Sequence, residues 1–353
     1  MITNLFNSVE IAERNALLWL VESHKRSCEK GFAHSRINFL PSKIAWRKAY
    51  PETSGYLIEN FLKFNTGIIK EDQEIGLKTA NWLTNIQSKD GFYYSGVENK
   101  IPSTFNTAQI IFGLLEAYQF TKNTVYFFAL EKAKKWLLDS ISDEGVVIRG
   151  LYKPNYFASY YTRALWPLLL ISDDREKKFI GKAVNSLWKN KNKYKSFDRL
   201  GFNESDYCLT HTIAYAIEGF IECSILVCNK EMLDECDEIL EYIADMIINT
   251  KRLDGIYNSR WETISTMKCL TGQAQFASLF AKAHLRTRSA KFEKVSVDLL
   301  KELVSWQIKS NNSEHHGAFP ASLPTYSRYF PFQYINWTNK FFLDACYQAK
   351  KFI

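Results

Sequence analysis

The sequence predicts an all-α protein in which six helical hairpins close into one ring, an (α/α)6 toroid or six-hairpin barrel, as a single domain over residues 1–353. Three observations predict it. A helix-to-turn unit repeats along the chain, a second and more apolar set of helices lies between the repeats, and a column of threonines aligns that second set.

The repeated unit ends a helix on a large apolar residue and follows it with a polar turn containing glycine. It reads ALLWLVESHKRSCEKGF at 16–32, ANWLTNIQSKDGF at 80–92 and AKKWLLDSISDEGV at 133–146. Trp82 and Trp136 precede Gly91 and Gly145 at the same spacing. Weaker copies lie at 243–257 and 303–319, and a degraded one at 183–197. Self-similarity of this kind marks a repeat architecture. The glycine is expected to supply the left-handed residue that terminates the helix.

Between the copies lie SGYLIENFLKF, AQIIFGLLEAYQF, RALWPLLLI, IAYAIEGFIECSILV, AQFASLFAKAHL and NKFFLDACYQA. They are more apolar than the first set, which predicts deeper burial. Aligned at their beginnings, Thr53, Thr107, Thr162, Thr212 and Thr338 share one position, and Gln273 fills the sixth. Threonine is a good N-cap, so these residues are expected to cap the inner helices. The residue before each one varies: Glu52, Asn106, Tyr161, His211, Gly272 and Trp337. Capping alone does not require that variety. An open stack of hairpins would need polar caps at its ends, and neither end carries one, so the ring is expected to close.

Composition narrows the partners. Aromatic residues make up 15% of the chain, with 19 Tyr and 9 Trp, which suits clefts for sugars or isoprenoids. The net charge of +7 is moderate, and its densest stretch, Lys189–Arg199, reads as a solvated loop. No nucleic-acid partner is expected from so small a basic footprint. Seven cysteines without a CxxC pair suggest free thiols in a reducing compartment, with Cys223, Cys228 and Cys236 as packing residues. The first twenty residues read as a helix rather than a signal peptide, and no apolar run is long enough to span a membrane. A cytoplasmic location is the expectation.

The turn QSKDGFYYSG at 87–96 resembles the repeat turns of the terpenoid-cyclase and protein-prenyltransferase toroids. Their DxDD, DDxxD and zinc-ligand sets are missing, as is the Cys and His set of the lanthionine cyclases. Asp173–Asp174 and Asp234 with Asp237 read as solvated helix ends instead. A nearer resemblance is to uncharacterised bacterial proteins associated with surface-polysaccharide biosynthesis. It is carried by AWRKAYPETSGYLIENFL (45–62), FNTAQIIFGLLEAY (105–118), LTHTIAYAIEGFIE (209–222), CLTGQAQ (269–275) and INWTNKFFLDA (335–345). That resemblance implies a setting, not a reaction. Toroids of this shape also resemble polysaccharide lyases, unsaturated-uronyl hydrolases and uronyl epimerases, which use the mouth of the barrel.

The N-termini of the inner helices are expected to converge on one mouth, where their positive dipole ends favour an anion. His211 is the leading catalytic candidate because imidazole transfers protons near neutral pH, with Tyr161 and Glu52 on the same level. Arg163 and Lys340 are expected to add cationic donors there. Arg36 and Arg47, with Lys48, would reach over from the first connection, and Arg328 from the loop around Tyr326 and Tyr329. Asn106, Gln109, Gln273 and Gln275 are the expected polar contacts, and Trp337 and Trp261 the flat faces for a sugar ring. His34 and Arg36 on one loop should meet Tyr329 on the other, because the ends of a closed ring meet. No cofactor or metal site is expected, since His315 and His316 are adjacent and point differently.

The expected function is a carbohydrate enzyme acting on an acidic sugar, a nucleotide sugar or an oligosaccharide. Epimerisation or β-elimination would use His211 or Tyr161 as base, and hydrolysis would pair Glu52 with an acid such as Asp206. The alternatives are a non-catalytic toroid that binds a glycan or a partner, and an isoprenoid-processing enzyme.

Overall fold

A computed structural model describes residues 2–64, 66–98 and 100–353. The amphipathic set forms the outer helices α1 (Ile2–Arg26), α4 (Asp72–Ile86), α6 (Thr124–Leu138), α8 (Asp174–Trp188), α10 (Lys230–Thr250) and α12 (Ala290–Trp306). The apolar set forms the inner helices α3 (Pro51–Glu59), α5 (Thr104–Thr121), α7 (Thr162–Leu170), α9 (Thr210–Leu226), α11 (Leu270–Thr287) and α13 (Asn336–Ala349). A single turn, α2 (Ser42–Ala45), interrupts the first connection, and α3 runs on into a π-helical turn at Asn60–Phe64. Residues of the inner helices are buried nearly all round, whereas each outer helix buries a stripe. Each inner helix packs on the next, and α13 returns to α3, so the ring is closed.

Both ends of the chain seal that closure. Ser35–Ile37 pairs antiparallel with Gln333–Ile335, and α1 packs on α13 and α12. Lys350 Nζ meets Glu13 Oε2 at 2.7 Å, and Gln307 Nε2 donates to the Ala12 carbonyl at 2.8 Å. Further short strands form in the connections that lead into the inner helices. Tyr93–Tyr94 pairs with Pro102–Ser103, and Tyr207–Leu209 with Ile256–Asn258. They tie the loops of the mouth into a rim, a feature that helical periodicity does not report.

Two local expectations are corrected. The threonines do not cap the inner helices, whose N-cap residues include Tyr50, Ser103, Leu209 and Ile335. Thr107, Thr162 and Thr212 sit inside the first turn. Their hydroxyls donate back to the carbonyls of Ser103, Ser159 and Leu209 at 2.6, 2.8 and 2.8 Å, the usual helical alternative to capping. Nor do Gly91 and Gly145 end helices. Each closes a separate turn that begins at Ser88 or Ser142, and each takes a positive φ. The degraded copy makes the same turn at Asn192–Ser196, with Lys195 at the left-handed residue.

Candidate active site

The mouth opens into a cavity of about 460 Å³ at the N-terminal ends of the inner helices. Five residues of the variable column, Glu52, Asn106, Tyr161, His211 and Trp337, line it. Gly272, the sixth, does not. A Cβ there would lie 2.2 Å from Thr210 Oγ1, so glycine permits α11 and α9 to pack closely.

Aromatic rings make most of the wall. Tyr215 lies 4.4 Å from the His211 ring, and Trp337 4.9 Å from the His34 ring, between centroids. Trp337 Nε1 donates to the Tyr329 hydroxyl at 2.8 Å, which fixes the indole against the closing loop. The two end loops therefore meet over the opening, and His34 contacts Phe330 and Tyr50 as well.

One carboxyl and two imidazoles in this wall are shifted toward their uncharged forms. Burial pushes Glu52 up to about 7, against the Tyr50 hydroxyl that donates to its Oε2 at 2.5 Å. Burial pulls His211 down to about 4; its hydrogen bond with Gln275 opposes the shift, and the charge of Arg163 adds to it. His34 falls to about 4 through burial and the charge of Arg47. Removing an ion from water is what disfavours each charged form. Gln275 presents Oε1 to His211 Nδ1 at 2.7 Å, a contact that suits the tautomer with its hydrogen on Nδ1 and a lone pair on Nε2. A neutral base and a carboxyl that titrates near neutrality thus share one aromatic chamber.

Tyr161 lines the same chamber. Its hydroxyl accepts the Tyr152 backbone N–H at 2.7 Å, and burial raises its pKa. The side chain holds a rim loop.

None of the expected cationic donors lines the cavity. Arg163 turns away from the mouth into a second chamber of about 270 Å³ near the opposite end of the inner helices. There it pairs with Glu218, and its guanidinium lies over Trp166 at 4.8 Å and Tyr215 at 5.4 Å. Burial opposes ionisation of Glu218, but Arg163 and Lys282 hold its pKa down at about 2. Lys340 occupies the same chamber, paired with Asp344 and 3.6 Å from Glu59. A buried cation needs a carboxylate, and the nearest ones lie below the mouth.

Arg36 donates to Glu314 at 2.8 Å and to the carbonyls of Ile37 and Asn38, clamping the first connection. Arg47 and Arg328 are exposed and outside the cavity lining. Gln109 bonds the Arg163 carbonyl and guanidinium beneath the floor, and Gln273 points outward to Glu302. Trp261 donates to the Lys195 carbonyl, remote from the mouth, and Asp206 is exposed beside Ser259. Among the described residues, Glu52 is the one carboxylate in the lining, and no Lys or Arg is there.

The sequence reading missed Tyr50, Tyr56, Tyr160 and Tyr215. Tyr56 and Tyr215 each follow a column residue by one helical turn, in ETSGY and HTIAY, so shared-face spacing was the available signal.

No family model matches the chain, and no curated protein matches it in sequence. Solved structures do match over nearly the whole length. A cellobiose 2-epimerase from Bacillus thermoamylovorans has a TM-score of 0.75 at 13% identity, covering 98% of this chain and 99% of that one. An unsaturated glucuronyl hydrolase specific for heparin gives 0.72 at 14% identity, covering 98% and 97%. An α-amylase from Clostridium perfringens gives 0.71 at 14% identity, covering 97% and 98%. This chain folds as an (α/α)6 toroid. At these identities the likeness fixes the fold alone. Among the described residues of the toroid, no helix is long and apolar enough to cross a membrane.

Proposed function

We propose that the toroid is a carbohydrate-active enzyme that epimerises or isomerises a neutral sugar by passing protons between His211 and Glu52. The observation that carries the reading is their placement: Glu52 begins α3 and His211 begins α9, three places apart in the ring, so they approach the chamber from opposite walls.

In an open-chain aldose the hydrogen next to the carbonyl is acidic. His211 Nε2 takes that proton from one face, and the bonding pair moves to the carbonyl oxygen as an enediolate. Glu52, protonated about half the time near pH 7, returns a proton to the same carbon from the opposite face. The pair moves back, the carbonyl re-forms, and the carbon is inverted; where the O2 hydroxyl proton passes to O1 and Glu52 protonates C1 instead, the carbonyl forms at C2 and the product is the ketose. Proton exchange with water resets both groups.

The lining argues against the other two reactions. β-Elimination needs the substrate carboxylate neutralised by a cation, and hydrolysis commonly needs a pair of carboxyl groups. A chamber lined by one carboxyl and no Lys or Arg suits neither, and it gives an acidic sugar no side-chain counter-charge. This lining supports a neutral sugar as the substrate. Similarity in fold to proteins named as a cellobiose 2-epimerase and a sugar epimerase also supports the reading. Surface-polysaccharide biosynthesis is the setting implied by the sequence resemblance.

The test is product analysis by chromatography after incubation with neutral aldoses and disaccharides. Formation of the epimer or ketose by the native protein, lost in Glu52→Gln and His211→Asn, is expected. Uronic acid substrates turned over in preference to neutral ones would reject the reading.

A further inference from the structure

The chamber is not equally closed on all sides. Toward α13 it is walled by Trp337, Phe330 and His34, which pack on one another. Toward α7 a run of rings leads outward. Tyr215 lies 5.4 Å from Phe105, Phe105 5.4 Å from Tyr160, Tyr160 5.0 Å from Phe202, and Phe202 5.5 Å from Tyr152. The inner members of this run are buried, but Phe202 is 37% exposed and Tyr152 73%. Ile101, on the next connection, is 58% exposed and lines the same opening.

The outer end of this apolar lip, Tyr152 above all, is open to water and so adds little to the packing of the fold. It is nevertheless built. The backbone under Tyr152 is held by the buried Tyr161 hydroxyl at 2.7 Å, and the opposite member, Phe202, is seated on Tyr160. Two aromatic rings set at 57° to each other, continuous with a chamber for a sugar ring, offer one face and one edge to the apolar side of another sugar ring. Among the described residues, no Lys or Arg lines the opening beside it, which suits an uncharged unit.

We propose that the substrate is a neutral oligosaccharide whose reducing-end unit enters the chamber, while the next unit stacks on the exposed Tyr152 ring with Phe202 against its edge. This rests on the proton-transfer reading above for the identity of the reacting unit. The lip then determines specificity: it favours a disaccharide over the free monosaccharide, and Tyr161 is its positioning residue.

The experiment compares kcat/KM for cellobiose, maltose and lactose with that for glucose, in the native protein and in Tyr152→Ala/Phe202→Ala. The native protein should prefer at least one disaccharide. The double variant should lose that preference roughly tenfold, chiefly through KM, as expected for losing on the order of 50 Å² of apolar contact. Saturation-transfer NMR on the same samples should show the second sugar ring of that disaccharide contacting the native protein and losing contact in the variant. An unchanged preference in the variant, or a native preference for glucose, overturns the proposal. If no sugar is turned over, the proton-transfer reading fails, and the NMR contact alone decides the lip: its absence in the native protein overturns the proposal.

Discussion

Glu52 and His211 line one cavity at the mouth of the ring, the first from α3 and the second from α9, three places round the ring. Burial moves the two in opposite directions on the pH scale, Glu52 up to about 7 and His211 down to about 4. Between those values His211 is neutral and Glu52 is protonated, so a base and an acid coexist at one site.

A bell-shaped pH profile follows. His211 must be unprotonated to accept a proton, so kcat/KM falls as pH drops through about 4. Glu52 must be protonated to return one, so kcat/KM falls as pH rises through about 7. Initial rates from pH 3.5 to 9 check this, and a rate still rising above pH 8 would contradict the assignment of Glu52 as the acid.

His211→Asn and Glu52→Gln should each lower kcat by about 10² to 10⁴, the usual contribution of a positioned acid or base. Circular dichroism should show both variants folded. Loss of less than tenfold in either would remove that residue from the mechanism.

Stability should depend on His211 in acid. Its folded pKa of about 4 lies below the unfolded value of 6.5, so the unfolded chain binds a proton that the folded chain refuses. The stability is complete above pH 6.5 and is lost as pH falls toward 4, up to about 3 kcal/mol. Urea unfolding at pH 7 and pH 4.5 should show a smaller drop for His211→Gln than for the native protein.

Below the chamber, Arg163 should be structural. Arg163→Met leaves Glu218 with Lys282 alone and should cost about 3–5 kcal/mol in urea unfolding. Arg163→Met/Glu218→Met should recover part of that loss, since the uncompensated buried charge is gone. Equal losses in the single and double variants would show that packing, not charge, sets the cost.

The ring was legible because its cause is local. Apolar stripes and repeated turns announce hairpins, and a shared start position announced the column that reaches the cavity. The direction of Arg163, Lys340 and Arg36 was not legible, because it depends on which carboxylate lies within reach. Lys340 has Asp344 one turn away, a spacing visible in the sequence. Arg163 pairs instead across to α9, and Arg36 with Glu314 at the far end of the chain. Those cations lie below or beside the mouth, and the proposal of a neutral sugar in place of the expected acidic one rests on that position. The threonine column was legible as a pattern but not as a bond, since a hydroxyl near a helix start can accept as a cap or donate backward, and here it donates.

Deuterium exchange is the most direct test of proton transfer between the two walls. The protein is incubated with a neutral aldose or disaccharide in D₂O, and the hydrogen on the carbon next to the carbonyl is followed by NMR. Solvent deuterium should enter that carbon as the epimer forms, or the former carbonyl carbon as the ketose forms, and neither should occur with Glu52→Gln or His211→Asn. Product formed without deuterium, or exchange undiminished in both variants, would contradict the account.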